Sequence, residues 1–181
     1  IFSNNDIVFT PNWLEKLLEH FNKHPKLGII SPTTNRVEGY QHIDFNDGKD
    51  FYYADVLTFF CVIIKKEVID KIGGLDERFG LGGQDDSDFC RRASNEGFAI
   101  GIARDTFCYH YGSASFREIM TIEESKEYSN SRVNLFREKY GGPKLEESRK
   151  IFIAIPTLGG IVPGLAANLI RWSHDPRHEV K

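Results

Sequence analysis

GGLDERFGLGGQDDSDFCRR, residues 73–92, is the most informative stretch of the 181-residue chain. Its glycine-rich first part leads directly into three carboxylates, Asp85, Asp86 and Asp88, which are predicted to lie in the first turn of a helix. Acidic side chains are favoured there by the unpaired N–H groups and by the positive end of the helix dipole. The same surroundings favour ionised carboxylates, which a general base or a cation site requires. An ordinary acidic helix start explains this segment equally well.

The composition is that of a globular domain, with 40% hydrophobic residues, 27% charged residues and a net charge of -3. Without a basic excess or a known motif, nucleic-acid binding is not expected. The longest apolar run, residues 56–64, is interrupted by Thr58 and is far shorter than the roughly 20 residues of a membrane-spanning helix. Cys61, Cys90 and Cys108 are odd in number and lack a C-x-x-C pair, which favours reduced core thiols in a cytoplasmic protein.

Apolar spacing and turn residues predict strands that alternate with helices. Thr10 is predicted to cap the first helix, with Pro11 in its first position. Further helices are predicted at 67–72, 85–96 and 118–140, and strands at 27–30 (ended by Pro32), within 51–65, at 98–102 and at 106–111. This order predicts an α/β fold with a mostly parallel sheet and flanking helices.

Both ends of the chain predict a piece of a longer protein. Ile1 and Phe2 look like the last residues of a strand, which suggests truncation at the N-terminus. Residues 141–149 are charged and turn-forming, as in a linker. An apolar strand at 151–155, a turn at 156–160 and a helix at 165–172 then resemble the start of a new domain. We therefore expect three segments, at residues 1–118, 119–149 and 150–181.

Two further groups of polar residues are candidates for chemistry. The triplet Asn4-Asn5-Asp6 follows the first strand residues, and His110 ends a predicted strand. Ligands gather at the carboxyl ends of strands in open α/β sheets, where a carboxylate suits a divalent cation and an imidazole can bind metal or carry a proton. Each group alone is also consistent with an ordinary turn or a structural histidine.

Taken in order, five elements resemble the second half of a family-2 glycosyltransferase domain with the GT-A (Rossmann-like) fold. They are NND with the following PNWL (residues 4–6 and 11–14), TFFCVII (58–64), GGLDERF (73–79), DDSDFCRR (85–92) and the strand that ends at His110. The resemblance covers about residues 1–118, and the order of five motifs is more specific than any one of them. The chain departs from the family pattern at Asn4, Leu75 and Asp85, where the family has Asp, Phe and Glu.

For the donor side, the resemblance implies a metal site on the first triplet. Asp6 would contact a divalent cation, Mn²⁺ or Mg²⁺, that bridges the diphosphate of a nucleotide-sugar donor. Asn4 and Asn5 would lie beside that diphosphate. His110 would be a further ligand of the metal or of the diphosphate.

For the acceptor side, the resemblance implies that Asp86 is the general base that takes the proton from an acceptor hydroxyl. Asp85 would shape the acceptor site, although its side chain is one methylene shorter than the glutamate of the family. Asp88 would anchor the helix start and pair with Arg92. The transfer would proceed by direct displacement with inversion at the anomeric carbon.

The resemblance thus implies a metal-dependent glycosyltransferase of polysaccharide or glycan assembly in the cytoplasm. Its acceptor would be a glycan or a lipid-linked sugar, which would allow peripheral association with a membrane. A further transferase domain is expected in the same parent chain, and the 181 residues alone are expected to be inactive. The alternatives are a non-catalytic carbohydrate-binding or scaffolding module of the same fold, and a nucleotidyltransferase.

Overall fold

The computed structural model describes residues 1–37, 39–45, 47–112 and 120–141. The chain divides into two compact units, Ile1–Arg132 and Val133–Lys181. The strand, turn and helix predicted at 151–155, 156–160 and 165–172 lie outside the described residues.

The first unit has a mixed α/β fold, which confirms the broad class predicted from the sequence. Its strands are β1 (Phe2–Ser3), β2 (Ile7–Phe9), β3 (Leu27–Thr33), β4 (Phe51–Ala54), β5 (Cys61–Ile64) and β6 (Ala99–His110). The α-helices are α1 (Trp13–Lys23), α2 (Lys66–Ile72), α3 (Asp85–Asn95) and α4 (Ile122–Tyr140), the last of which belongs to the first unit up to Arg132. Short 3-10 helices cover Gly39–Gln41 and Glu77–Phe79.

The sheet has the strand order β1-β5-β3-β6-β2, and β4 also pairs with β6. Only β3 and β6 run parallel, while the other four pairings are antiparallel, so the prediction of a mostly parallel sheet was wrong. A parallel pair needs a crossover of a dozen or more residues, usually a helix. That requirement is met between β3 and β6, whose connection contains the helices α2 and α3.

The first helix begins later than the sequence predicts. Its N-cap is Asn12, in the left-handed region with φ 59° and ψ 20°, and its first residue is Trp13. The Thr10 hydroxyl instead donates to the main-chain oxygen of Phe107 at 2.6 Å. A contact with a distant strand therefore replaces the local cap that was expected of Thr10.

Two strand boundaries also differ from the prediction. Strand β3 continues through Pro32 to Thr33, and the stretches predicted as separate strands at 98–102 and 106–111 form the single strand β6. The register jumps from Pro32 opposite Ala103 to Thr33 opposite Phe107. Proline lacks an N–H donor but is tolerated where the ladder is irregular, and this irregularity absorbs it.

Among the described residues, buried apolar side chains form three core clusters. The first includes α2 and α3 residues: Ile29, Leu57, Val62, Ile64, Val68, Phe89, Cys90, Ala93, Ile100 and Ile102. The second includes Leu17 of α1: Leu17, Leu27, Ile30, Ile63 and Ala103. The third contains Phe60, Cys61 and Cys108. All three cysteines are buried free thiols, as predicted. Within the described ranges, no helix has the length and apolar character that a bilayer span requires.

Candidate functional site

Asn4, Asp6 and His110 come together although they are more than 100 residues apart in the sequence. Antiparallel pairing of β2 with β6 places Ile7 opposite His110, so the preceding Asp6 reaches the end of β6. Asp6 Oδ1 lies 3.2 Å from His110 Nε2, and Asp6 Oδ2 accepts a hydrogen bond from the Gly112 N–H at 2.9 Å. Asn4 Nδ2 lies 3.3 Å from the same His110 nitrogen. We call these three residues the carboxylate–imidazole cluster.

His110 is held by its main chain and by its ring. Asn35 Oδ1 accepts from the His110 N–H at 2.8 Å, and Asn35 Nδ2 donates to the His110 carbonyl at 3.2 Å. The imidazole stacks on Phe60 with the ring centroids 5.7 Å apart. Its Nδ1 is buried and has no hydrogen-bond partner among the described residues. The orientation of Nε2 toward Asp6 is therefore fixed before any ligand binds.

The spacing of this cluster suits a shared cation. Two ligands at right angles on an ion with bonds of about 2.1 Å lie roughly 3.0 Å apart, close to the separation of Asp6 Oδ1 and His110 Nε2. In the described part of the chain, no group of three or more His, Cys, Asp or Glu side chains could hold a metal by itself. Since Mg²⁺-type sites typically use one or two carboxylates together with phosphates and water, the donor set fits a cation that a phosphate ligand helps to bind.

The surroundings of this cluster differ from the prediction at three residues: Asn5 was predicted to belong to the site, whereas Asn35 and Arg36 were not. Asn5 is exposed in the turn between β1 and β2. Asn35 and Arg36 were not predicted, although polar residues directly after the buried strand β3 were a usable signal. A Cβ atom on Gly112 would lie 3.4 Å from Arg36 Cγ, so the arginine stem packs beside the residue that binds Asp6.

Asp86 lies in the first turn of α3, as predicted, and partly inside the protein. Burial raises the pKa of its carboxyl group, and the neighbouring Asp85 raises it further. Hydrogen bonds from the Ser87 and Phe59 N–H groups oppose that rise, the first at 2.7 Å from Asp86 Oδ1. A carboxylate with a raised pKa is a stronger base than an ordinary aspartate, so Asp86 is suited to accept a proton.

Asp88 has a structural position beneath the same helix. Its side chain is fully buried, and Arg92 Nε donates to Asp88 Oδ2 at 2.8 Å. The same guanidinium donates to the Ile72 and Gly74 carbonyl oxygens at 2.7 and 2.8 Å. Asp88 and Arg92 thus tie α3 to the end of α2, and Asp88 is not accessible to a substrate.

The glycine-rich loop before α3 is hydrogen-bonded to the side chain of Tyr128 of α4. The Tyr128 hydroxyl donates to the Phe79 carbonyl and accepts from the Leu81 N–H, both at 2.7 Å. Gly80, between them, has φ 65°, and a Cβ there would lie 2.9 Å from that hydroxyl. The sequence did not predict this contact, which joins residues 49 positions apart.

Removing only that hydroxyl should loosen the loop. We expect Tyr128→Phe to lower the free energy of unfolding by about 1–2 kcal/mol, since each lost hydrogen bond contributes roughly 0.5–1.5 kcal/mol. Urea unfolding measures the loss, and amide hydrogen exchange should accelerate at residues 79–84. Tyr109→Phe, at an exposed tyrosine, is the matched control. Equal stability and exchange in Tyr128→Phe and wild type would contradict this role.

The carboxylate–imidazole cluster and Asp86 are connected through two adjacent residues. The Phe59 ring packs against Phe89 of α3 with the ring centroids 5.7 Å apart, and the Phe59 main chain opposes the rise in the pKa of the nearby Asp86 carboxyl group, while the Phe60 ring stacks on His110. The Phe60 carbonyl also accepts from the Asn4 N–H at 2.8 Å. One peptide unit therefore links the candidate cation ligands to the candidate base.

Asp86 lines a cavity of about 690 Å³, within the range of roughly 300–1,000 Å³ that is usual for ligand pockets. Gln84 and Ser87 of the α3 start, Tyr40 of the 3-10 helix and Thr58 before β5 also line it. No protein-family model and no curated protein matches the chain. A function for the chain must therefore be argued from geometry. Two candidate cation ligands, Asp6 and His110, lie beside Phe60, and the candidate base Asp86 lines a cavity on the side of Phe59.

Proposed function

We propose that the intact protein carrying this chain is a metal-dependent glycosyltransferase with a GT-A domain of the family-2 type. It would transfer a sugar, with inversion, from a nucleotide-sugar donor to a hydroxyl of a glycan or lipid-linked sugar. The mixed sheet with flanking helices is compatible with part of such a domain. The five ordered motifs of the sequence support the choice of family, and the observed contacts support the separate roles that we assign to Asp6, His110 and Asp86.

The single observation that carries the proposal is the link through Phe59 and Phe60. A displacement reaction at a sugar needs stabilisation of a leaving diphosphate and a base for the attacking hydroxyl. Asp6 and His110 are suited to the first task, and Asp86 is suited to the second. Because Phe59 packs on α3, which carries Asp86, and the adjacent Phe60 packs on His110, the two functions would be kept at a fixed separation, as positioning in catalysis requires.

In the proposed reaction, the acceptor hydroxyl oxygen forms a bond to the anomeric carbon of the donor sugar. The bond between that carbon and the phosphate oxygen breaks, and its electron pair leaves with the nucleoside diphosphate. The hydroxyl proton moves to the Asp86 carboxylate. Burial favours this step, because it raises the pKa of Asp86 and so strengthens the base.

A bound Mn²⁺ or Mg²⁺ would supply positive charge to the departing diphosphate. Asp6 and His110 would hold it, while Asn4 would donate to a phosphate oxygen or orient the histidine. Asn35 and Phe60 keep His110 in place during the reaction, through its main chain and its ring respectively.

The proposed metal site is tested by measuring the binding of Mn²⁺ and of inorganic pyrophosphate. Pyrophosphate is the probe because the nucleoside of the donor is unidentified. We expect pyrophosphate to bind the 181-residue chain only when Mn²⁺ is present. Asp6→Asn should weaken Mn²⁺ binding at least about tenfold, since even the loss of an outer partner of a metal ligand costs roughly 10–100-fold. Calorimetry or manganese EPR measures this, and Asp44→Asn, at an exposed carboxylate, is the control.

Unchanged Mn²⁺ affinity in Asp6→Asn would remove the cluster from the proposed role. For the intact protein, a chelator should abolish release of nucleoside diphosphate from a nucleotide sugar, and added Mn²⁺ should restore it. Metal and sugar binding without any turnover would instead favour a non-catalytic carbohydrate-binding module.

A further inference from the structure

The cavity beside Asp86 has an unusual balance of charge. Its lining includes two carboxylates, Asp55 and Asp86. Among the described residues that line it, none is Lys, Arg or His. Thr58, Gln84 and Ser87 add neutral hydroxyl and amide groups that can hydrogen-bond a ligand. Such a lining attracts neutral hydroxyl-bearing ligands and repels anions.

One wall of the cavity carries an aromatic ring that is half exposed. Tyr40 is 52% exposed, and its ring stacks on Tyr52 with the centroids 5.0 Å apart. Phe45 packs edge-on against the same ring at 4.6 Å. An aromatic ring that is already supported from behind offers a rigid surface at low cost in conformational entropy.

The backbone around Tyr40 is also fixed. Arg104 Nη1 donates to the Tyr40 carbonyl at 2.6 Å. The side-chain amide of the next residue, Gln41, donates to the Thr58 carbonyl at 3.2 Å and accepts from the Thr58 N–H at 2.8 Å. Because Thr58 lines the same cavity as Tyr40 and Asp86, the Tyr40 wall and Asp86 belong to one connected framework.

We propose that this cavity binds an uncharged pyranose ring, with its C–H face on Tyr40 and a hydroxyl group directed to Asp86, and that it excludes uronic acids. A sugar ring presents an apolar face and a hydroxyl edge. An aromatic face complements the first, and carboxylates and amides complement the second. A carboxylate-bearing sugar would meet Asp55 and Asp86 without a compensating cation.

The proposal names the acceptor class for the function proposed above and rests on that function only for the transfer step. Sugar binding itself needs neither metal nor donor, so the two proposals can fail separately. If pyrophosphate does not bind in the presence of Mn²⁺, only the proposed metal and diphosphate site is contradicted. Failure of sugar binding would contradict the cavity assignment alone.

The test is a titration of the 181-residue chain with methyl glycosides, followed by NMR. The panel contains neutral gluco-, galacto-, manno- and N-acetylgluco-pyranosides together with the matching uronides of the first three. We expect at least one neutral glycoside to bind, with shifts at Tyr40 and Ser87, and its uronide to bind at least about tenfold more weakly. Asp55→Asn should narrow that difference.

Variants at the aromatic wall complete the test. Tyr40→Ala should weaken the neutral sugar about 2- to 10-fold, the range for a lost aromatic contact, while Tyr40→Phe should retain binding. Tyr109→Ala, at an exposed tyrosine that does not line the cavity, should bind like wild type. Equal or tighter binding of the uronide, no binding by any neutral glycoside, or wild-type affinity in a folded Tyr40→Ala protein would overturn the proposal.

Discussion

Asp86→Asn is expected to reduce turnover by the intact protein about 10²- to 10⁴-fold, the range for loss of a general base. Donor binding should be unchanged, because the proposed cation ligands Asp6 and His110 are separate from Asp86. The amide keeps the size of the side chain but cannot accept a proton. Steady-state kinetics with donor and acceptor varied separately would measure both effects, with Asp70→Asn on α2 as an exposed control.

The adjacent carboxylate provides the decisive comparison. Asp85→Asn should cost less activity than Asp86→Asn, because Asp86, and not Asp85, is among the described residues that line the cavity. An equal or larger loss in Asp85→Asn would assign the base to Asp85 instead.

The pH dependence has a defined sign for activity and for stability. Burial raises the pKa of Asp86, so the acid side of the kcat/KM profile should lie above the range of an ordinary aspartate.

The same shift affects stability. At pH values between the unfolded and folded pKa of Asp86, the native state holds the proton more tightly than the unfolded state. Stability contributed by this group is therefore lost as pH rises through that window. Asp86→Asn removes this cost, so its Tm should exceed that of wild type at neutral pH.

Arg92→Met should have the largest effect on stability. It removes the Arg92 guanidinium from the fully buried Asp88 carboxylate and removes two donors from the end of α2. Removal of one partner of a buried pair typically costs about 3–5 kcal/mol, because the remaining charge is no longer compensated. Urea unfolding monitored by circular dichroism would measure the change in the free energy of unfolding.

Arg91→Met, at the exposed neighbour on α3, is the matched control and should cost much less. The double variant Asp88→Leu with Arg92→Met should be more stable than Arg92→Met alone, since it removes the buried charge. A loss of only about 1 kcal/mol or less in Arg92→Met, as for an exposed pair, would show that Asp88 does not depend on this cation.

Local patterns in the sequence were sufficient for the helices α2 and α3 and for the acidic first turn of α3. Their signals lie within a few residues: glycines at the ends, and Asp85, Asp86 and Asp88 at the start. The direction of the strands was not predictable in this way. The strands β4 and β5, predicted within residues 51–65, pair with distant strands rather than with each other: β4 pairs with β6, and β5 pairs with β3 and β1. Local composition does not indicate such long-range partners or their direction.

The candidate site was predictable to the extent that its chemistry is in side chains. Asp6 and His110 were identified from residue type and from their place at strand ends, and Asp86 from its place in an acidic first helical turn, while their roles came from the family resemblance. Asn35, Phe60 and Tyr128 were missed because they act through contacts with distant parts of the chain. Asn35, for example, binds the main chain of a residue 75 positions away, which no local pattern indicates.

The Phe59–Phe60 unit implies unequal tolerance to substitution at two neighbouring positions. The influence of Phe59 on the pKa of Asp86 comes from its main-chain N–H, which every residue except proline preserves, while the Phe59 ring contributes packing, including that against Phe89. His110 depends on the Phe60 ring itself, which is 1% exposed. Residue 59 can therefore vary in evolution while residue 60 stays constrained. In the proposed transferase, acceptor preference would then be able to change without a change in the binding of the diphosphate.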